Sequence, residues 1–268
     1  MKKIILMTLL SAYATFANAG VVSVFGQPTN TGFNTNIINN FYNGLPGDSS
    51  TLTTGSLDTN NLTGVNLLWA VQPTAAYTSA ELNTMASFLS GGGRIAFMGE
   101  HGSFAPNENI RINTALSFLG STISINNVIL DSGFRSASVV DGQILNNPLT
   151  TGVNTYQYAA FAPLTISGTA QALMLGEESY LGNPSIMMAY QNIGAGSIFL
   201  ITDQNVWDNS PNWPGGFNNA KMFENLLLGN TGAPPVDPPS NVPVPAALPL
   251  MASALAMFGL GRRRNKLG

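Results

Sequence analysis

The sequence contains no cysteine and only one histidine, His101, and these absences exclude several kinds of chemistry. Without a thiol the chain forms no disulfide, has no thiolate nucleophile and offers no Cys ligands for zinc. Charged residues are also scarce, at 9% of the chain. Many Asn, Thr, Ser and Gly residues supply a neutral polar surface instead, which suits an exported protein.

Basic residues are few in the middle of the chain. All 13 acidic residues lie between Asp48 and Asp237, whereas only four of the 10 basic residues do, namely Arg94, Arg111, Arg135 and Lys221. With thirteen negative charges against four positive ones, this part has a net charge of −9. Because phosphate binding needs a basic face, we expect no nucleic-acid partner.

The first nineteen residues have the layout of a secretory signal peptide. Two lysines precede an apolar run over residues 4–10, and the small-residue site Ala17-Asn18-Ala19 precedes Gly20. The apolar run is much shorter than the roughly 20 residues that a membrane-spanning helix needs. We therefore predict that signal peptidase removes residues 1–19 and that the chain is exported across the inner membrane.

The C-terminal end combines a proline motif, a short apolar segment and an arginine cluster. A Pro-rich linker over residues 231–241 leads into a tail, 242–268, that opens Val242-Pro243-Val244-Pro245. Its apolar segment covers residues 246–260 and is followed by Arg262, Arg263 and Arg264. A segment of about 15 residues is a marginal span, and the arginines act as a stop on the cytoplasmic side. We expect a short transmembrane helix here, either as an ordinary tail anchor or as part of a sorting signal.

This tail resembles the PEP-CTERM sorting signals, in the variant that opens Val-Pro-Leu-Pro-Ala, with Val244 in place of the leucine. The family implies cleavage near the proline motif by an exosortase, in Gram-negative bacteria that make exopolysaccharide. Its implied partners are the exosortase, exopolysaccharide and, transiently, the inner membrane. Its implied location is the cell envelope, the outer surface or the extracellular matrix. The resemblance assigns the sorting signal to Val242, Pro243, Pro245, Arg262, Arg263 and Arg264.

Residues 20–230 are enough for one domain with a sizeable core. Short apolar runs predict strands over 21–25, 66–71, 94–98 and 196–203. Helical spacing predicts helices over 34–42, after the capping-box sequence Thr78-Ser79-Ala80-Glu81, over 110–119 and over 218–228. Strands that alternate with helices imply right-handed crossovers. We therefore predict an α/β three-layer sandwich with a mostly parallel central sheet.

Four segments between Asn66 and Leu228 carry a second resemblance: ELNTMASFLSGGGRIAFMGEHG, NENIRINTALSFLG, NNPLTTGV and GAGSIFLITDQNVW. They are similar to the class I glutamine amidotransferase-like superfamily, especially the branch with trehalose-utilisation-type and gliding-associated extracellular domains. The resemblance implies a flavodoxin-like fold. Amidotransferases place a nucleophilic Cys after the first of these strands and a His and a Glu after a later one. Here Glu100 stands at about the nucleophile's place and no His follows Asp203, so we predict no glutamine amidotransferase activity.

Two of the predicted strands end in unusually polar turns. In open α/β sheets, ligands bind beyond the carboxyl ends of the strands. One turn covers residues 99–103, and the other covers residues 203–208. We therefore expect ligand binding by Glu100, His101, Asp203, Asn205 and Trp207.

The same turns permit three roles. Glu100, Asp203 and Asp208 offer hard oxygen ligands suited to calcium, although the rest of a calcium loop is missing. Ser103, His101 and Asp203 are the residue types of a hydrolase triad, although the Gly-x-Ser-x-Gly elbow is absent. In the third alternative, Asp203 and Asn205 cap a turn and His101 is a structural residue.

Aromatic residues in loops have two interpretations: they offer ring faces that stack on sugars, which indicates a glycan ligand, or they cover the core as lids. These residues are Trp207, Trp213, Phe217 and Tyr180. We expect a non-enzymatic exported surface or matrix protein, with glycan or calcium as candidate ligands and no other cofactor. The alternative is a carbohydrate-active or other hydrolase that uses Glu100, His101 and Asp203.

Overall fold

The computed structural model describes residues 20–26, 32–207 and 217–228. The predicted signal peptide, the linker and the sorting tail lie outside these ranges, as do Asp208 and Trp213. Eleven strands and four α-helices lie in the described residues. The strands are β1 (Val21–Gly26), β2 (Ser49–Thr53), β3 (Leu67–Val71), β4 (Arg94–Met98), β5 (Ile123–Ile125), β6 (Arg135–Ser138), β7 (Thr155–Tyr158), β8 (Leu164–Ile166), β9 (Gln171–Tyr180), β10 (Asn183–Ile193) and β11 (Gly196–Ile201). The helices are α1 (Gly32–Gly44), α2 (Ser79–Ser90), α3 (Pro106–Phe118) and α4 (Asn219–Leu228).

The main sheet is mixed and has nine strands, in the order β2-β1-β3-β4-β11-β10-β8-β5, with β9 paired to β10. Strands β2, β1, β3, β4 and β11 are parallel to one another. Strands β10, β9, β8 and β5 extend this half through antiparallel pairs. Strands β6 and β7 form a separate antiparallel ribbon. The predicted α/β class, with a large and substantially parallel sheet, is confirmed.

Helices cover both faces of the sheet. One apolar cluster joins the sheet to α1 and α4, through Ile38, Tyr42, Met222 and Phe223. A second cluster joins the other face to α2 and α3, through Leu82, Met85, Ile112 and Leu116. All residues of β3 and β11 are buried. Continuous apolar runs of this kind are expected of parallel strands that are covered on both sides.

Helix α2 begins and ends where the local sequence predicts. The Thr78 hydroxyl accepts a hydrogen bond from the Glu81 N–H at 3.2 Å, and a Glu81 carboxylate oxygen accepts one from the Thr78 N–H at 2.7 Å. This reciprocal pair is the predicted capping box, and it satisfies amide groups that the first turn leaves free. The helix stops at Gly91, and a Cβ at Gly93 would lie 2.4 Å from the Phe88 ring. The capping-box prediction is confirmed.

Other boundaries and elements differ from the sequence predictions. Helix α3 begins at Pro106 rather than Ile110, because proline suits the first turn of a helix. Strand β11 ends at Ile201, two residues before Asp203. Strand β2 and the strands from β5 to β10 are not among the elements predicted from the sequence. The transmembrane helix expected over residues 246–260 lies outside the described ranges. Within those ranges no helix is long and apolar enough to cross a membrane, so the expectation of a transmembrane helix is wrong for that part of the chain.

Candidate functional site

Glu100 and Asp203 lie beside each other at the carboxyl edge of the sheet. Glu100 follows β4 and Asp203 follows β11, and these two strands are parallel neighbours. Both side chains are buried, with 1% and 0% of their surface exposed. The two carboxylates are close enough for the charge of Asp203 to affect the pKa of Glu100.

The carboxylate of Glu100 joins the turns that follow the two strands. Its Oε1 accepts a hydrogen bond from the backbone N–H of His101 at 2.8 Å. Its Oε2 accepts one from the backbone N–H of Gln204, also at 2.8 Å. One oxygen therefore closes the turn after β4, while the other holds the start of the turn after β11.

The carboxylate of Asp203 makes a similar pair of backbone contacts. Its Oδ1 accepts from the N–H of Asn205 at 2.8 Å, and its Oδ2 accepts from the N–H of Ala159 at 2.6 Å. The first contact shapes the turn after β11. The second ties this turn to the segment that follows β7, which is distant in the sequence.

Asn109 of α3 supports the turn after β4, although it is not among the site residues predicted from the sequence. Its amide nitrogen donates to the Glu100 carbonyl at 2.6 Å and to Asn127 Oδ1 at 2.8 Å. Its Oδ1 accepts from the Glu100 N–H at 3.1 Å. A Cβ at Gly99 would lie 2.5 Å from Asn109 Oδ1, so glycine is required for this close approach. An asparagine inside a helix was the available signal, since Asn is a poor helix former.

The burial of the site changes the protonation of its residues. Burial, followed by the negative charge of Asp203, raises the pKa of Glu100 from 4.5 to about 8. Hydrogen bonds from the backbone N–H groups of His101 and Gln204 oppose this rise, because they favour the ionised carboxylate. Burial also lowers the pKa of His101. At neutral pH the site therefore holds a largely protonated Glu100 and a neutral His101.

His101 contacts two other polar residues of the same turn. Its Nδ1 lies 2.9 Å from Ser103 Oγ, and its Nε2 lies 3.7 Å from Glu100 Oε1. The longer distance exceeds that of a hydrogen bond. A Cβ at Gly102 would lie 2.2 Å from the Asn127 backbone, so this turn requires glycine as well.

Three neutral side-chain amides form a hydrogen-bonded row beside these carboxylates, and none of the three is among the site residues predicted from the sequence. Gln72 follows β3, Asn34 lies in the first turn of α1, and Gln204 follows Asp203. Gln204 Oε1 accepts from Asn34 Nδ2 at 2.8 Å and from Gln72 Nε2 at 3.2 Å. Gln72 also has a backbone φ of 32°, which is unusual for a residue with a side chain. This backbone angle was not evident from the sequence.

Trp207 is a core residue and does not present a ring face to a ligand. Its side chain is 0% exposed. It stacks on Phe223 with 4.0 Å between ring centroids, and it meets Trp69 edge-on at 5.4 Å. The expectation of an accessible loop aromatic overlooked the 3₁₀ turn over Gln204–Trp207, which directs this residue into the core.

The described residues contain no group of three or more His, Cys, Asp or Glu side chains arranged to hold a metal ion. Glu100 and Asp203 are two of the three predicted calcium ligands, and Asp208 lies outside the described ranges. Calcium binding therefore stays a prediction.

No protein-family model matches this sequence, and no curated protein matches it significantly. Solved structures share its fold. The N-terminal domain of mmIFT52 is 17% identical with a TM-score of 0.57, over 76% of this chain and 95% of that one. A cytoplasmic protein from Salmonella typhimurium is 9% identical with a TM-score of 0.53, over 78% of this chain and 98% of that one. A β-galactosidase from Rahnella sp. R3 is 15% identical with a TM-score of 0.50, and the match covers 78% of this chain but 30% of the enzyme.

Proposed function

We propose that this chain is an exported surface or matrix protein whose α/β domain binds a ligand without catalysing a reaction. Export is supported by the signal-peptide layout of residues 1–19, and sorting by an exosortase is supported by the proline motif and arginine cluster of residues 242–264. A flavodoxin-like layout is supported by the strand order β2-β1-β3-β4-β11, which is the order of that fold's five parallel strands.

The proposal that the domain is not catalytic rests on the hydrogen bonds of the Glu100 and Asp203 carboxylates. All four of their carboxylate oxygens accept hydrogen bonds from backbone N–H groups. A general acid or base must instead face the substrate within hydrogen-bond reach of the proton that it transfers. Both carboxylates are also buried, so their present contacts favour a role in holding the strand ends together.

The ligand class that we propose is a glycan, and the natural ligand that we propose is the exopolysaccharide of the bacterium that makes this protein. Several proteins that share the fold act on carbohydrates, namely a β-galactosidase, an exo-β-1,4-mannosidase and a carbohydrate deacetylase. This chain covers about a third of each, 30%, 36% and 32%, so it corresponds to one part of those enzymes. Calcium bound by Glu100, Asp203 and Asp208 remains a second proposed ligand.

Titration calorimetry with galacto-oligosaccharides and manno-oligosaccharides tests this function. We expect saturable binding of at least one series by the purified protein. Thermal melts with calcium against chelator test the metal in parallel, with Asp203→Ala as the variant that should lose any calcium-dependent rise. No binding of either series at millimolar concentration would contradict the glycan proposal, and an unchanged melting temperature in millimolar calcium would contradict the metal.

A hydrolase is the second candidate, and one observation favours it. Glu100, His101 and Ser103 lie in the same turn, and Ser103 Oγ is 2.9 Å from His101 Nδ1. Activation of Ser103 requires His101 to accept its proton, which a neutral imidazole can do. Hydrolysis of p-nitrophenyl acetate by the parent protein that is lost in Ser103→Ala would support this candidate. Equal rates for the parent and Ser103→Ala would exclude the serine mechanism.

A further inference from the structure

The side-chain amides of Asn34, Gln204 and Gln72 are joined by hydrogen bonds, and a contact of Gln72 fixes which atom of each amide is the nitrogen. Gln72 Nε2 lies 3.4 Å from the Gly99 carbonyl oxygen, which can only accept a hydrogen bond. The atom of Gln72 that faces Gly99 and Gln204 is therefore the nitrogen. Gln204 must then present its oxygen to Gln72, and the atom of Asn34 that faces the same oxygen must be its nitrogen.

This orientation leaves two buried acceptors without donors. Asn34 Oδ1 and Gln72 Oε1 accept no hydrogen bond from any described residue. The two side chains are 0% and 1% exposed. Buried polar atoms in native proteins are nearly always satisfied, and an unsatisfied one indicates a missing partner such as a water or an ion. Since both orphan atoms are oxygens, the missing partner must be a hydrogen-bond donor or a cation.

The charge around the two oxygens distinguishes between these partners. Glu100 and Asp203 lie at the same edge and are linked to the amides through the backbone of Gln204. The basic side chains of the described residues are engaged elsewhere: Arg94 with the Leu226 and Leu227 carbonyls, Arg111 with the Pro73 carbonyl and Glu108, Arg135 with Glu177, and Lys221 with Glu224. Glu100 is largely protonated at neutral pH, so the negative charge at this edge comes from Asp203. The edge is otherwise rich in acceptors, and no arginine or lysine of the described residues donates to the two amide oxygens, so a cation would complement it.

We propose that the amide oxygens of Asn34 and Gln72 bind a small monovalent metal cation, sodium or potassium, at the carboxyl edge between β1 and β3. Neutral carbonyl-type oxygens are the ligands that replace the hydration shell of such ions. Both side chains are buried, so a sugar ring does not reach these oxygens, and this site is distinct from any glycan site. Each carboxylate oxygen of Glu100 and Asp203 already accepts a hydrogen bond from a backbone N–H group, whereas the two amide oxygens accept none from the described residues.

Thermal melts of the purified protein in sodium, potassium and choline chloride at equal ionic strength test the site. We expect the melting temperature to be higher by about 3–6 °C in sodium or potassium chloride when the ion is at roughly ten times its Kd. Gln72→Met keeps the length of the side chain but removes the orphan oxygen, so it should lose this difference. Gln143→Met should keep it, because the unpartnered atom of Gln143 is a nitrogen, which cannot bind a cation.

Equal melting temperatures of the parent in the three salts would overturn the proposal, as would a difference that persists in Gln72→Met. Stabilisation by calcium chloride alone would also overturn it and would indicate a divalent site at the carboxylates. Should Gln72→Met fail to fold, sodium-23 line broadening by the parent decides the matter. Broadening that potassium reverses is the expected result, and the absence of broadening would overturn the proposal. None of these outcomes depends on whether a glycan binds.

Discussion

The buried side chain of Glu100 stabilises two turns through its hydrogen bonds, but its raised pKa makes the free energy of unfolding depend on pH. Its two oxygens hold the turns after β4 and β11 through backbone N–H groups. These bonds favour the ionised form, but burial and the neighbouring charge of Asp203 outweigh them, and the pKa of Glu100 is about 8. The folded protein thus keeps a proton on Glu100 that the unfolded chain releases at a much lower pH.

We expect Glu100 to reduce stability as the pH rises from 4.5 to about 8. In this window the unfolded chain loses the proton while the folded chain retains it, so the unfolded state is increasingly favoured. Each pH unit removes up to about 1.4 kcal/mol from the free energy of unfolding. Because Glu100→Gln does not titrate, its free energy of unfolding, measured with urea across the window, should fall less steeply than that of the parent.

The surface variant Glu224→Gln is the control for this pH series. Glu224 lies on α4, pairs with Lys221 and is partly exposed. Its replacement should leave the slope of the parent unchanged. Identical slopes for the parent, Glu224→Gln and Glu100→Gln would contradict the raised pKa.

The proximity of Glu100 and Asp203 followed from two features of the sequence, a polar residue after each of two apolar strands. Their role at a site stays a prediction. The amides of Asn34 and Gln72 could not be found in this way, because their partner Gln204 is 170 and 132 residues away. Trp207 was misjudged for the same kind of reason, since only tertiary packing decides whether an aromatic in a turn is exposed.

Helix α2 is the element whose ends depend most clearly on local sequence. Thr78→Ala removes the hydroxyl that accepts from the Glu81 N–H and donates to the Glu81 carboxylate. We expect a loss of about 1 kcal/mol in the free energy of unfolding, measured with urea. Thr54→Ala, at an exposed position, should change it by less than about 0.5 kcal/mol. Equal effects of the two substitutions would show that the cap does not stabilise the helix.

The two halves of the sheet differed in how well they could be predicted. Strands β3, β4 and β11 are buried on both faces, so their apolar runs are evident in the sequence. Strands β5 and β8 have three residues each, too few to show a period. The β9–β10 hairpin is long, but β9 changes from buried to exposed along its length, and shifts in register interrupt its pairing with β10. Alternation of apolar and polar residues was therefore too irregular to indicate these strands.

At the scale of the whole molecule, the two ends of the chain predict processing. We expect protein recovered from its native host to begin at or near Gly20 and to lack the arginine cluster. Intact-mass measurement checks both losses at once. Retention of Arg262, Arg263 and Arg264 would contradict exosortase cleavage, and retention of residues 1–19 would contradict the signal peptide.

The distinction between a binding domain and an enzyme concerns the whole molecule as well. Since the buried carboxylates of Glu100 and Asp203 hold strand ends, we expect no turnover of a bound glycan. The most direct measurement is mass-spectrometric analysis of galacto-oligosaccharides and manno-oligosaccharides after incubation with the purified protein. A binding domain leaves every oligosaccharide at its starting mass, in the parent and in Glu100→Gln alike. Shorter products that the parent releases and Glu100→Gln does not would contradict a non-enzymatic role.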